Sequence, residues 1–427
     1  MIKNHCSYCF YLSALFLLFT CSLSAQTIIT SPYSRYGIGD LSENANAWNL
    51  AMGGTSIAMR SPNHLNFMNP ASYTALDSSS FIFEGGVIFN SVKLKTNLES
   101  TSRTYTSLGY LTFGFQITKW WKTTIGLLPY SNVGYNISSD EIIPDAGRNV
   151  RIYTGSGGIN RVLWGNGFKL SKKVSIGINA SYLFGTMLRE AASTFPDSSY
   201  YLNLREAYNI TVSGLYFDYG IQYTTKLKKD LRLTAGATFG FNTNVKAKTD
   251  LLSTTFFASN GTEYPKDTIT SERGVIGSIN IPLMYGLGIS FEKPDKWIIG
   301  ADYRWQNWEN YKAFDLNDSL VNSYQVSAGI DIVPDMNNYS KYLKRIHYRF
   351  GLRYNSTYLQ LREKQLNEYS VSLGFGMPLK GMKTAINLSA ELGSRGTTQS
   401  NLIQETFFNF VVGFSIYERW FVKRKYF

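Results

Sequence analysis

Between residues 174 and 184 the chain reads Val174-Ser175-Ile176-Gly177-Ile178-Asn179-Ala180-Ser181-Tyr182-Leu183-Phe184. Val174, Ile176, Ile178, Ala180, Tyr182 and Phe184 share one face of an extended chain, and Ser175, Gly177, Asn179 and Ser181 share the other. A period of two is the mark of a β-strand. The water-facing side of a soluble sheet would carry many lysines and glutamates. Here the polar face is small and neutral, which suits a crowded polar lumen with the apolar face turned outward to lipid.

The same pattern recurs from about residue 80 onward. Ile281, Leu283, Tyr285, Leu287, Ile289 and Phe291 alternate with small or polar neighbours. So do Trp297, Ile299, Ala301, Tyr303 and Trp305, and later Ile386, Leu388, Ala390 and Leu392. Large aromatics stand at the ends of these faces, as interfacial girdles do. Short turns at 118–122, 171–173, 226–230, 292–296 and 379–382 alternate with long polar segments at 94–104, 136–150, 189–204, 248–273, 313–320, 357–366 and 394–404. One longer connection, 333–345, falls on the short-turn side. Transmembrane barrels have this asymmetry, with short periplasmic turns and long external loops. The segments number fourteen, an even count that returns the C-terminus to the periplasm. Each has ample length for a tilted strand with roughly 9–11 membrane-embedded residues. The expected fold is all-β, a fourteen-stranded antiparallel transmembrane β-barrel.

Composition agrees. Of 427 residues, 15% are aromatic and only 17% charged, which is unlike an ordinary soluble domain. No run of roughly 18 apolar residues occurs, so membrane-spanning helices are excluded. Residues 1–25 read as a signal peptide: Lys3 before an apolar core from Phe10 to Phe19, then small residues Ser22, Ser24 and Ala25. Cys6, Cys9 and Cys21, the only cysteines, all fall in this leader. Lipidation at Cys21 is disfavoured by Phe19 and Thr20 just before it. The reading thus divides the chain into a leader at 1–25, a hatch at 26–79, the barrel at 80–416 and a short basic periplasmic tail at 417–427.

Residues 26–79 break the strand pattern. They are rich in Gly, Ser, Asn and Ala, and Asn69-Pro70-Ala71 reads as a helix start with Asn as N-cap and Pro at the first position. A barrel of fourteen strands encloses more space than its own side chains fill, so this segment suits a plug.

On specific residues the chain resembles the FadL-type family of outer-membrane transporters. Ala51-Met52-Gly53-Gly54-Thr55-Ser56-Ile57-Ala58 followed by Asn69-Pro70-Ala71 is similar to the family's hatch sequence. Gly155 to Asn160, Ser181 to Gly185, Ile281 through Trp308, and Tyr348 to Tyr354 match in the same order. The resemblance covers most of 45–418. It implies an N-terminal hatch, a lateral opening at a kink in the third strand, and carriage of long-chain fatty acids or other hydrophobic molecules. Ser31-Pro32-Tyr33-Ser34-Arg35-Tyr36-Gly37 and the basic tail Arg419 to Lys425 depart from the transporter pattern. They look like a subgroup that includes subunits of secretion and assembly machines.

Thr124 to Asn136 in the third strand has broken alternation around Pro129, which cannot donate to a ladder, and the glycine-rich fourth strand is also irregular. A breach between these two strands is expected, with Gly126, Pro129 and Gly134 at its rim. Asn69, Pro70 and Ala71 are expected to anchor the hatch near the third strand. Alternation turns Glu84, Asp218, Arg232, Asp302, Arg304, Asp331, Arg349, Arg353 and Glu391 inward. Asp302, Arg304, Arg349 and Arg353 form the expected lumen polar network; the favoured reading is a mutually paired lumen, because charges out of bulk water need partners, and the alternative is a polar channel or a latch holding the hatch.

Enzymatic chemistry has little to build on. Beyond the leader only His64 and His347 remain, so no zinc site with the usual ligands assembles and no metal or cofactor is expected. Gly155 to Gly158 lacks the Gly-Lys-Ser/Thr of a phosphate loop. The net charge of +12 is dispersed over short turns rather than gathered on one aromatic surface, which speaks against nucleic acid. Two functions stay open: a passive outer-membrane channel for hydrophobic molecules, or a non-transporting barrel subunit of an assembly or type IX-like secretion complex. The expected partners are outer-membrane lipid, hydrophobic small molecules, and other outer-membrane proteins or lipoproteins.

Overall fold

The computed structural model describes residues 31–419 except 44, 199, 229, 260–261, 338–339 and 380–382. The leader and the tail beyond 419 lie outside the described residues. Fourteen antiparallel strands close into one barrel: β1 Ser80–Lys95, β2 Ser100–Gln116, β3 Trp121–Ile143, β4 Gly147–Lys169, β5 Val174–Thr194 and β6 Asn203–Lys228 come first. Then follow β7, in two segments Leu231–Gly240 and Thr243–Ser259, and β8, in two segments Thr262–Ile281 and Met284–Lys293. β9 Trp297–Gln306, β10 Ser323–Ile332, β11 His347–Leu361, β12 Lys364–Pro378, β13 Ala385–Arg395 and β14 Gln404–Arg419 complete the wall. β14 pairs with β1 from Gln404–Lys95 to Arg419–Ser80, which closes the ring. It runs three residues past the expected boundary at 416.

The alternation read from 174–184 is the wall of this barrel. Tyr182 faces outward, while Ser175, Asn179 and Ser181 are buried inward. Outward residues such as Leu215, Leu287, Leu352 and Leu373 are about half exposed and belong to a band of apolar side chains running round the barrel. A surface of that extent is stable only against lipid. Trp120, Trp121 and Phe168 cluster at the short-turn end, and Tyr324, Tyr354 and Tyr369 at the other.

Two expectations change. Most long segments are strand rather than loop. β1 and β2 turn within 96–99, β3 and β4 within 144–146, and β11 and β12 within 362–363. Above the bilayer an antiparallel ladder needs no apolar face, so threonine- and serine-rich residues such as Ser100 to Thr104, exposed on both sides, simply extend the sheet. On this side of the barrel, among the described residues, 195–202, 307–311, 318–322 and 396–403 leave the ladder for longer stretches. The run from Ile281 to Phe291 is also not one strand. Pro282 and Leu283 interrupt it beside the Phe241–Asn242 break in β7. The phase flips there: Ile281 is fully buried inside, whereas Tyr285, of the same parity, faces out.

The topology predicts an orientation test. A tag inserted between Ser259 and Thr262, the facing ends of β7 and β8, should bind antibody on intact cells. A tag at Lys228 should bind only after permeabilisation; reversed labelling would overturn the orientation.

Candidate functional site

Residues 31–79, other than 44, pack against the inner face of the wall. Three short helices order them: Pro32–Arg35, Ala47–Leu50 and Pro70–Ala75, capped by the side chains of Ser31, Asn46 and Asn69. The hatch approaches the wall backbone to backbone because the inner face supplies glycines. A Cβ on Gly177 would lie 2.3 Å from the Pro70 carbonyl carbon, and one on Gly351 2.0 Å from the Gly53 nitrogen. Gly53 itself has φ of +69°, a left-handed turn that favours glycine, and its N–H donates to Ser372 Oγ at 2.8 Å. This is the physical content of the Ala51-Met52-Gly53-Gly54 motif.

Polar groups fasten the hatch at several levels. Asp302 Oδ2 accepts from the N–H groups of Ser56 (2.5 Å) and Ile57 (2.8 Å). Asp331 Oδ2 accepts from Trp48 Nε1 (3.1 Å) and Arg349 Nε (2.9 Å), and its other oxygen meets His347 Nδ1 at 2.8 Å. Arg353 pairs with hatch Glu43 (3.0 Å) and with Glu368 (3.2 Å) and Glu391 (2.5 Å) of the wall, while Arg304 stands 3.6 Å from Glu43. The four residues expected as a self-paired lumen network thus point to the hatch, Arg349 through Asp331. A buried charge needs a partner, and here the plug provides many of them.

Asn69-Pro70-Ala71 begins a 3₁₀ helix, with Asn69 Oδ1 accepting from the Ala71 N–H at 3.1 Å. The Asn69 amide donates to the Ile57 carbonyl at 2.7 Å, so one side chain ties two hatch segments. The anchor lies mainly against β4, β5 and β6, where Gly167, Gly177 and Gly220 make room, and less against β3. Asn69→Leu removes the cap and the cross-tie, worth about 1–2 kcal/mol for a cap alone. Single-channel recordings should show more frequent openings from an intact barrel, and a variant as closed as the parent would refute the anchor.

The ladder is interrupted beside β3, and the seam is not the expected one. β3 and β4 pair along their whole length, with a bulge between Pro129 and Ser131. β2 and β3 instead pair only from Leu111–Leu127 to Gln116–Lys122, although both strands continue well beyond. Gly126 lies inside the paired part, Pro129 just past its end, and Gly134 on the length of β3 that β2 does not pair. The bulge aims the Tyr130 carbonyl inward to accept from the Ser42 N–H at 3.0 Å. Asp40 and Leu41 form a two-residue strand against Asn132 and Ser131. Higher up, the Ser31 N–H donates to the Gly134 carbonyl (3.1 Å), and the Gly134 N–H to Ser34 Oγ (3.0 Å). The hatch therefore supplies the strand that β2 does not.

A cavity of about 350 Å³ lies behind this seam. Ser107 and Gly109 of β2, Pro129 and Asn132 of β3, and Leu41 and Glu43 of the hatch are among its lining residues. Above it, Tyr33, Ile38, Leu183, Trp308, Tyr311 and Tyr358 pack into an apolar cluster that caps the outer half of the lumen.

Sequence reasoning missed Arg395, Asp40 and Glu405. Arg395 Nη1 pairs with Asp40 at 2.9 Å and Nη2 with Glu405 at 2.6 Å. Arg395 shares the parity of Glu391, so extending the β13 alternation by two steps would have found it. His64 stacks on Trp48 at 5.3 Å and bonds Glu84 at 2.7 Å, a structural setting like that of His347. Among the described residues no group of His, Cys, Asp and Glu has a metal-binding arrangement.

The family model BamG, of a FadL-like family, matches residues 1–427. No curated protein matches significantly. Among solved structures, the chain is similar to the Pseudomonas putida toluene transporter TodX, at 16% identity and TM-score 0.58, over 90% of this chain and 99% of that one. It is similar to a Pseudomonas aeruginosa FadL homologue at 12% identity and TM-score 0.59, over 88% and 98%. The CymD monoaromatic hydrocarbon channel matches at 12% identity and TM-score 0.57, over 89% and 98%.

Proposed function

The chain belongs to the BamG family, and on that premise we propose that it is an outer-membrane barrel that passes hydrophobic molecules between its lumen and the bilayer. The route runs through the seam between β2 and β3. The observation that carries this reading is a coincidence in space: the ladder stops, the Pro129 bulge turns the wall, and the cavity reaches both strands there. Lipid offers no hydrogen bonds, so a barrel leaves a seam unpaired in the bilayer at a cost that a function would justify. The toluene and monoaromatic-hydrocarbon channels of the same fold suggest small apolar cargo, and long-chain fatty acids are a further class. Transport is passive, with the short turns in the periplasm.

A second reading, a barrel subunit of an outer-membrane assembly or secretion complex, is favoured by one observation. Residues 31–42, which include the stretch that departs from the transporter pattern, already bond β3 over Tyr130 to Gly134, where β2 does not pair with it. Ser107→Cys with Asn132→Cys, joined by a thiol crosslinker, separates the two. Locked cells should lose uptake of labelled fatty acid or toluene and regain it on cleavage of the linker. Unchanged uptake in the locked form would overturn the lateral route. No uptake in either form would favour the subunit reading.

A further inference from the structure

The short-turn end of the barrel is basic on balance, with Asp230, Asp295 and Asp335 as the acids of its turns. Its six turns, at 117–120, 170–173, 229–230, 294–296, 333–346 and 379–384, each hold at least one lysine. At the opposite end the connections carry mostly acids, among them Glu99, Asp145, Asp197, Asp315 and Asp318, against Lys312 and Arg362. Lys119, Lys173, Lys228, Lys296, Lys344 and Lys383 are all exposed. Of these six, only Lys383 stands within ion-pair distance of a carboxylate among the described residues, that of Asp77.

Among the described residues every stretch of this rim except 294–296 also exposes a large apolar residue beside or near its lysines. Trp120 follows Lys119 and is 55% exposed. Leu170, Leu227 and Leu343, next to or near Lys172, Lys228 and Lys344, are 63%, 50% and 68% exposed. These side chains continue the outward apolar band, so at this height they meet lipid. A cation paired with an apolar neighbour at the edge of the hydrocarbon is the chemistry of a headgroup contact. The turns are spaced round the closed ring, whereas a docked protein would select one side. Because five of the six turns, all but 333–346, are at most six residues long, their charges sit at headgroup height rather than projecting into solvent.

We propose that this rim is a collar for anionic phospholipid in the leaflet on the short-turn side. The lysine ammonium groups donate to headgroup phosphates, and Trp120, Leu170, Leu227 and Leu343 lie along the first methylenes of the acyl chains. The collar needs only that the barrel span a bilayer, so it stands apart from either functional reading.

The test uses the full-length protein purified in mild detergent and native mass spectrometry with added phosphatidylglycerol or phosphatidylcholine of the same acyl chains. Parent protein should retain phosphatidylglycerol about tenfold more than phosphatidylcholine, and the preference should fall as salt is raised. A variant with Lys119, Lys173, Lys228, Lys296 and Lys344 changed to glutamine should bind the two lipids equally. If that variant does not fold, the salt dependence and a phosphatidylglycerol-specific rise in the parent's melting temperature carry the test. Equal binding of both lipids by the parent would overturn the proposal. So would an acidic protein that co-purifies with the parent and not the variant while no lipid preference is present, because the rim would then be a protein-docking surface.

Discussion

Gly351→Val should expel the Ala51–Gly54 turn of the hatch and convert a closed barrel into a conducting one. A Cβ at Gly351 would stand 2.0 Å from the Gly53 nitrogen and 2.2 Å from the Met52 carbonyl carbon. Both neighbours are backbone, so no rotamer change relieves the overlap. Overpacking costs about 1–3 kcal/mol where side chains can shift, and more where they cannot. The ladder of β11 with β10 and β12 does not depend on the hatch, so the wall should remain folded. The strain then falls on the contact between plug and wall. Planar-bilayer recordings should show large conductance steps that the parent lacks, and limited proteolysis should cut within the hatch. Ala301→Val on the lipid face is the control and should behave as the parent. A Gly351→Val barrel that is folded and still closed would mean that the hatch is not held by this contact.

Arg353→Met should be the most damaging single change to the polar fastening. The guanidinium is buried and is shared by Glu43, Glu368 and Glu391. Removing it leaves three carboxylates around an apolar side chain, a loss of about 3–5 kcal/mol for a broken buried pair. Arg304→Met should cost about 1 kcal/mol or less, since its contact with Glu43 is long at 3.6 Å and Arg353 still holds that carboxylate. Thermal unfolding in detergent, followed by heat-dependent gel mobility, measures both. Adding Glu391→Gln to Arg353→Met should recover part of the loss, because one stranded charge is gone. If the double variant is no better than the single, the cost of Arg353→Met is lost packing rather than stranded charge.

Some of this was legible in the chain and some was not. The 174–184 alternation and its recurrences determined the strand count, the face that strands other than β8 turn to lipid and the order of short turns, because a wall with lipid on one side and polar filling on the other forces a period of two. Inward parity likewise marked Asp302, Arg349 and Arg353. The capping chemistry of Asn69 was equally local, and the helix begins where Asn-Pro predicts it.

What parity could not say is what an inward side chain meets. Asp302 finds the N–H groups of Ser56 and Ile57, more than 240 residues away, and Arg395 finds Asp40 across 355. Nor could it say on which side of β3 the ladder stops. Pro129 marks a strand that cannot ladder normally, yet a strand has two edges, and its residues do not name the side that fails. Closure of the ring decided that. β4 follows β3 through a three-residue turn and stays paired with it, while the hatch, folded back into the lumen, takes the edge facing β2 with Asp40 and Leu41. The partner of an edge is chosen by whatever backbone the tertiary fold brings to it, and no local pattern records that choice.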